Sequence, residues 1–267
     1  MREDTIATYP RTIFIGDVHG LSGPLDDLLE QIQLNAGDRL VFVGDLLDKG
    51  PDQLGVVRRV GSLMSRRDIQ TSLIRGNHED KHIRYQRNLK ERPGIAAAQA
   101  KDTPSLADFH QKAKPADWEV VHKSLPYLHL PDINMIAVHG GIPPFMSKLP
   151  PLEQFQKASG RTRQKLEQVY RLRFVNRETG AFLKLGDQGE SDPFWAEIYD
   201  GRFGFAVFGH EPFMTGPRPF PNAMGIDTGA VHGNNLTALI TMDGNPQAFE
   251  IVQTSGEPHA KPRGDRL

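Results

Sequence analysis

The chain has 267 residues, with 32 basic and 33 acidic side chains and a formal charge of −1, so no global field favours nucleic acid or a membrane surface. It contains no cysteine, which excludes a disulfide framework, thiolate-ligated zinc and a cysteine nucleophile. No window approaches the ~20 apolar residues of a membrane helix, and the opening MREDTIATYPRTI lacks the apolar core of a signal peptide, so a cytoplasmic protein is expected.

The first third alternates strands and helices. RTIFIG (11–16) reads as a short apolar strand, and 21–34 carries helical spacing through Leu25, Leu28, Leu29 and Ile32. RLVFVG (39–44) is a second strand, followed by a helix over 53–67. TSLIRG (71–76) is a third, followed by the helical EDKHIRYQRNLKE. Continuous apolar strands between helices indicate a buried, largely parallel sheet. The middle, from about Pro104 to Leu128, is polar and helical, and INMIAV (133–138) is a fourth strand. A long insertion, expected to be helical, spans 147–200. Strand signals then return at 203–209, 223–227, 236–242 and 248–254. This order predicts an α/β protein with two sheets packed together in one domain, residues 11–254. Residues 255–267 read as a disordered tail.

The ends of the strands carry the chemistry. The first strand runs into GDVHG, with Asp17 and His19 two residues apart and therefore on one face of an extended segment. The second ends in GDLLDKG, with Asp45, Asp48 and Lys49, and the third in GNHE, with Asn77 and His78. The fourth ends at His139 in HGG, and the fifth at His210 in FGHEP. In open α/β sheets ligands bind at this edge. Asp17, His19, Asp45, Asn77, His139 and His210 are oxygen and nitrogen donors suited to Mn, Fe, Zn or Mg. They suffice for two ions if one carboxylate bridges. Two such ions polarise a phosphoryl oxygen and generate hydroxide near neutral pH. His78 is left free to protonate a departing oxygen, and Asp48 could orient its imidazole.

In this order, GDVHG, GDLLDKG, GNHE, HGG and GH resemble the motifs of the calcineurin-like metallophosphoesterases, within the phosphoprotein-phosphatase superfamily, over about residues 11–242. The ending GIDTGAVHGNNLTAL, after FAVFGHEP, is similar to the branch containing bacterial diadenosine-tetraphosphate hydrolases. The resemblance implies two mixed β-sheets packed as a sandwich and flanked by helices. It implies Asp17, His19 and bridging Asp45 on one ion, and Asp45, Asn77, His139 and His210 on the other, with manganese the leading metal. It also implies His78 as general acid paired with Asp48, and Lys49 with Asn77 as phosphate-binding groups. Lys49 stands where the protein phosphatases carry arginine, whereas Asp48 is more typical of those phosphatases. Ala230 and His232 stand where the family often has cysteine and an aromatic residue.

The expected substrate is thus a phosphorylated small molecule, a dinucleoside polyphosphate, with a phosphoserine or phosphothreonine protein as the alternative. Neither a membrane nor a specific nucleic acid is an expected partner. A catalytically silent fold predicts a lost ligand, and none of the six is missing. Outside the motifs, His82, His110, His122, His129 and His259 read as surface or structural, and Arg75 as structural. Glu79 reads as a tie for the loop carrying Asn77 and His78, and Asp227 as support for a turn. The basic run Arg161–Arg173 reads as a solvated helix face, with phosphate recruitment as the alternative, and His232 stays an open candidate.

Overall fold

A computed structural model describes residues 11–261; the polar opening before residue 11 and the expected tail beyond residue 261 lie outside the described residues. The strands are β1 (Thr12–Ile15), β2 (Arg39–Phe42), β3 (Gln70–Leu73), β4 (Leu128–Leu130) and β5 (Met135–Ala137), then β6 (Phe205–Phe208), β7 (Arg218–Phe220), β8 (Ala223–Gly225), β9 (Asn235–Thr241) and β10 (Glu250–Ser255). They form two five-stranded mixed sheets, ordered β10-β9-β1-β2-β3 and β4-β5-β6-β8-β7. In the first, β1, β2 and β3 are parallel, and β9 returns antiparallel beside β1. In the second, β5, β6 and β8 are parallel.

The alternation of side chains along each strand builds the layers. Phe14, Val41 and Val43 point inward and pack with Met135, Ala137 and Val207 of the other sheet. Ile13, Ile15, Leu40 and Phe42 point outward, beneath α1 (Ser22–Ile32), α2 (Gln53–Ser65) and the helices that follow. Leu25, Leu28 and Ile32 form the buried stripe of α1, as their spacing requires. The Asp52 side chain caps α2 by accepting from the Gly55 amide at 2.8 Å. α3 (Asn77–Glu91) carries the buried polar residues Glu79, Asp80 and His82. Proline at the first position starts each of α4 (Pro93–Asp102), α5 (Pro104–Lys112) and α6 (Pro115–His122).

Three elements had no sequence signal, each for a physical reason. α4 is alanine-rich and buries only Ala96, so it has no apolar period. β4 and β7 are three-residue edge strands, and β7 contains Pro219, which an edge position tolerates. The insertion needs correction: it is helical only early, in α7 (Leu152–Lys157), α8 (Gly160–Leu166) and a short 3₁₀ turn at Glu167–Tyr170. The chain beyond is irregular, yet Leu172, Phe174, Val175, Phe194 and Trp195 cover the outer face of the second sheet. Residues 256–261 are likewise held by hydrogen bonds to the 231–234 loop, against the expectation of disorder from 255 onward. Among the described residues no helix is long and apolar enough to cross a membrane.

Phe14 is fully buried between the sheets, so Phe14→Ala leaves a cavity where both sheets meet. We expect a loss of about 3–5 kcal/mol in unfolding free energy, read from denaturant titration. A loss below about 1 kcal/mol would contradict this account of the core.

Candidate metal centre

The strand ends converge because both sheets aim their parallel strands at one rim. The His210 amide donates to both Asp17 carboxylate oxygens at 3.2 and 3.1 Å, and Gly209 donates to the His139 carbonyl at 3.1 Å. The loops there are strained. Among the described residues seven non-glycine positions have positive φ, and five of them are His19, Asp45, Asp48, Lys49 and His210. Left-handed backbone costs a residue with a Cβ of order 1–3 kcal/mol at such places, and persists only where surroundings over-determine it. Glu79 is one such constraint: its carboxylate accepts from the amides of Asp45, Leu46 and Gly76 at 2.9, 2.8 and 2.8 Å. Gly44 is another, since at φ +110° it lets His139 and Gly76 close in where a Cβ would collide.

Asp45 sits at the centre. Its Oδ2 lies 3.7 Å from His19 Nε2, 3.8 Å from His78 Nε2 and 3.3 Å from His139 Nε2. Two triads share it, His19–Asp45–His78 and Asp45–His139–His210, with donor atoms in each within 4.8 Å of one another. The ring tautomers follow from the partners. His19 Nδ1 donates to the Leu47 carbonyl and His139 Nδ1 to the Val43 carbonyl, each at 2.8 Å. That orientation turns each Nε2 inward, as in metal-ligating histidines. Asn77 presents its Oδ1 3.1 Å from His139 Nε2. Asp17 approaches the same region, its Oδ2 3.9 Å from His19 Nε2.

Buried His210 Nε2 has no hydrogen-bond partner among the described residues. Such an atom is costly unless a ligand engages it. Burial pushes the Asp17 carboxyl well up, and the charges of Asp227 and Asp45 push it further. Burial would also raise Asp45, but His139, His78 and His19 outweigh it and hold that carboxyl well below its usual range. Burial, with Lys49 and His78, lowers His19; burial, with Arg173 and His139, lowers His210. Both therefore favour the neutral imidazole that coordinates metals. Buried carboxylates, neutral imidazoles and an unpartnered ring nitrogen together fit a pair of divalent cations. No thiolate is available, so the donor set is hard or borderline.

Around this centre, Asp48 makes more contacts than the sequence suggested. Its Oδ2 lies 2.5 Å from His78 Nδ1 and 2.9 Å from Lys81 Nζ; its Oδ1 lies 2.8 Å from His82 Nε2 and 2.6 Å from Ser105 Oγ. Burial opposes its charge, but the hydrogen bonds from His78 and His82 depress its pKa far below the normal carboxylate value. His82 is thus a buried structural histidine on the dyad. It sits one helical turn after His78, a spacing visible in the sequence. Ser105 had no such signal, because it arrives from α5 across the fold. Lys49 Nζ lies 2.8 Å from His19 Nε2, so a cationic head already points at the centre.

A cavity of about 350 Å³ opens beside these groups, lined in part by Asp45, Lys49, His78, Arg173, His232 and Lys261. Arg173 corrects the reading of its basic run as a solvated face. Its guanidinium pairs with the Glu211 carboxylate and donates to the His210 carbonyl at 2.8 Å. Asp227 accepts from the Gly229 amide at 2.9 Å, the turn support expected of it. Arg75 bonds Ser124, likewise in a structural role.

Comparison with known proteins places the chain in a family. Residues 10–214 match the family described as calcineurin-like phosphoesterase. An asymmetrical bis(5′-nucleosyl)-tetraphosphatase, PrpE of Oceanobacillus iheyensis, is 32% identical over 235 residues, covering 84% of this chain and 86% of that protein. A symmetrical bis(5′-nucleosyl)-tetraphosphatase of Coxiella burnetii is 29% identical over 276 residues, covering 89% and 91%. A crystal structure of a candidate diadenosine tetraphosphatase superposes with a TM-score of 0.68 at 24% identity, covering 93% of this chain and 95% of that one. A Saccharomyces cerevisiae serine/threonine protein phosphatase superposes at 0.58 with 15% identity, covering 97% and 83%. At those identities the two structures bear on the fold alone.

Asp45→Asn removes the charge that both triads share. We expect metal affinity to fall by at least roughly 100-fold, the upper end for changes one shell further out, with loss of turnover. Elemental analysis after dialysis checks it; retention of the full metal complement would refute a shared carboxylate.

Proposed function

We propose that this chain, which belongs to the calcineurin-like phosphoesterases and is therefore a metal-dependent phosphohydrolase, cleaves the phosphoanhydride of a dinucleoside polyphosphate such as diadenosine tetraphosphate. The observation that carries this reading is the Asp45 carboxylate shared by two triads at the floor of a cavity with cationic walls. Asp17, His19 and Asp45 would hold one divalent ion, and Asp45, Asn77, His139 and His210 the other. Manganese is our first choice, and iron, zinc or magnesium also suit these donors. When bound, such a pair polarises a phosphoryl oxygen and brings water within reach of deprotonation near neutral pH.

The chain's own residues supply the rest. Lys49, flexible and exposed, can leave His19 Nε2 to hold a phosphate oxygen. His78 donates the proton that the departing phosphate oxygen takes up, from the Nε2 that faces Asp45. Asp48 fixes the ring by binding Nδ1, and stabilises the protonated imidazole from which that proton comes. The names of the relatives support the anhydride substrate, and a cytoplasmic location is part of the same proposal.

The Asp48–His78 dyad favours a second reading, phosphoserine or phosphothreonine in proteins, because an alkoxide leaving group needs an acid more than a nucleotide does. Turnover with added manganese on diadenosine tetraphosphate and on a phosphoserine peptide separates the two. Hydrolysis of the dinucleotide alone is expected; phosphate release from the peptide alone would replace the first reading with the second. The products, ATP with AMP or two ADP, assign the cleavage as asymmetrical or symmetrical.

His78→Asn should leave metal content intact and slow turnover by roughly 10²–10⁴. The loss should be largest for alkyl phosphates, and an equal loss on nitrophenyl phosphate would count against the acid role.

A further inference from the structure

Beyond the last strand, residues 256–261 fold back over the loop that follows β8. The Gly256 amide donates to the Asn234 carbonyl at 2.5 Å, and the amides of His259 and Ala260 both donate to the Val231 carbonyl, at 2.9 and 3.0 Å. Pro258 forms an antiparallel bridge with His232. Gly256 makes this approach feasible, since a Cβ there would strike the Ala230 backbone. His232 Nδ1 donates to the Ala260 carbonyl at 2.9 Å, which fixes the ring against the segment. As a result His232, Ala260 and Lys261 form one wall of the cavity whose floor is Asp45.

The cations of this cavity are unequally committed. Arg173 is paired with Glu211, and Lys49 points at His19. Lys261 is exposed at the wall, and among the described residues no ion pair engages it. A polyphosphate chain carries a charge on every phosphate, and only one phosphate is attacked. The others need cations away from the reaction centre, where a flexible lysine serves as a point charge.

We propose that residues 256–261 are a specificity wall, in which Lys261 binds a phosphate of the polyphosphate chain other than the one attacked. This rests on the dinucleoside polyphosphate reading. The wall acts on substrate choice and not on the chemical step, because Lys261 belongs to neither triad. It gives a polyphosphate an advantage over a monoester that the six strand-end residues do not provide.

The experiment compares the wild-type chain, Lys261→Ala and Lys261→Arg, all manganese-loaded, on diadenosine tetraphosphate and on nitrophenyl phosphate. For Lys261→Ala the ratio of kcat/KM for the dinucleotide to that for nitrophenyl phosphate should fall roughly tenfold, about 1.4 kcal/mol, through KM. Lys261→Arg, which keeps the charge, should restore most of it. An unchanged ratio in Lys261→Ala, with the wild-type chain active on the dinucleotide, would overturn the wall. So would equal losses on both substrates. A wild-type chain that hydrolyses nitrophenyl phosphate but not the dinucleotide would instead overturn the substrate reading on which the wall depends.

Discussion

The structure depends on keeping the charge of Asp45 at a buried position. An isolated carboxylate buried to this degree is strongly disfavoured by desolvation. Here three imidazoles gather on one of its oxygens, and the His78 amide donates to the other at 2.9 Å. The arrangement is incomplete as an organic cluster. Asp17 is pushed toward neutrality, His19 and His210 are kept uncharged, and one buried ring nitrogen lacks a partner. Multivalent cations resolve all of these imbalances at once, which is why the centre reads as a metal site and not as a salt-bridge network.

Holding that geometry requires strain, and the fold supplies the restraint. The loops at His19, Asp45, Asp48, Lys49 and His210 all enter left-handed backbone, which an isolated chain would leave. The parallel strands beneath them are buried on both faces and do not yield. Glu79 joins the second loop to the start of α3 through three backbone amides, so Asp45 and Asn77 cannot move independently. The two sheets are also joined across the site itself, where the His210 amide binds Asp17. Sheet packing and site geometry are therefore one constraint.

A second layer, centred on Asp48, surrounds this rim. It collects His78, Lys81 and His82 from one helix and Ser105 from another. His78 is thus referenced to the helical side of the molecule, while the inserted chain and the C-terminal segment shape the opposite side of the cavity. Arg173 belongs to that other side: its bonds to Glu211 and to the His210 backbone brace the His210 loop. The His78–Asp48 pair and the opposite wall of the cavity therefore belong to different parts of the fold.

Most of the strands, the six polar residues at their ends and the pairing of His78 with Asp48 were legible along the chain. Each follows from local chemistry: an apolar run gives a buried strand, and the polar residue at its carboxyl end is carried to the rim by strand direction. The sequence did not disclose α4, whose alanines bury little, or the three-residue edge strands β4 and β7, which have no apolar period. Nor did it disclose the contacts of Ser105, Arg173 and Ala260, which lie 57, 38 and 28 residues from Asp48, Glu211 and His232 respectively. Such contacts leave no pattern at the spacing of a helix or a strand, because they come from how separate elements pack. Only the folded chain shows how near His19, His78 and His139 stand to Asp45, which the motif resemblance already implied as the shared carboxylate, and that the C-terminal segment stands beside them. Both facts depend on distances between strands and loops that no periodicity along the chain encodes.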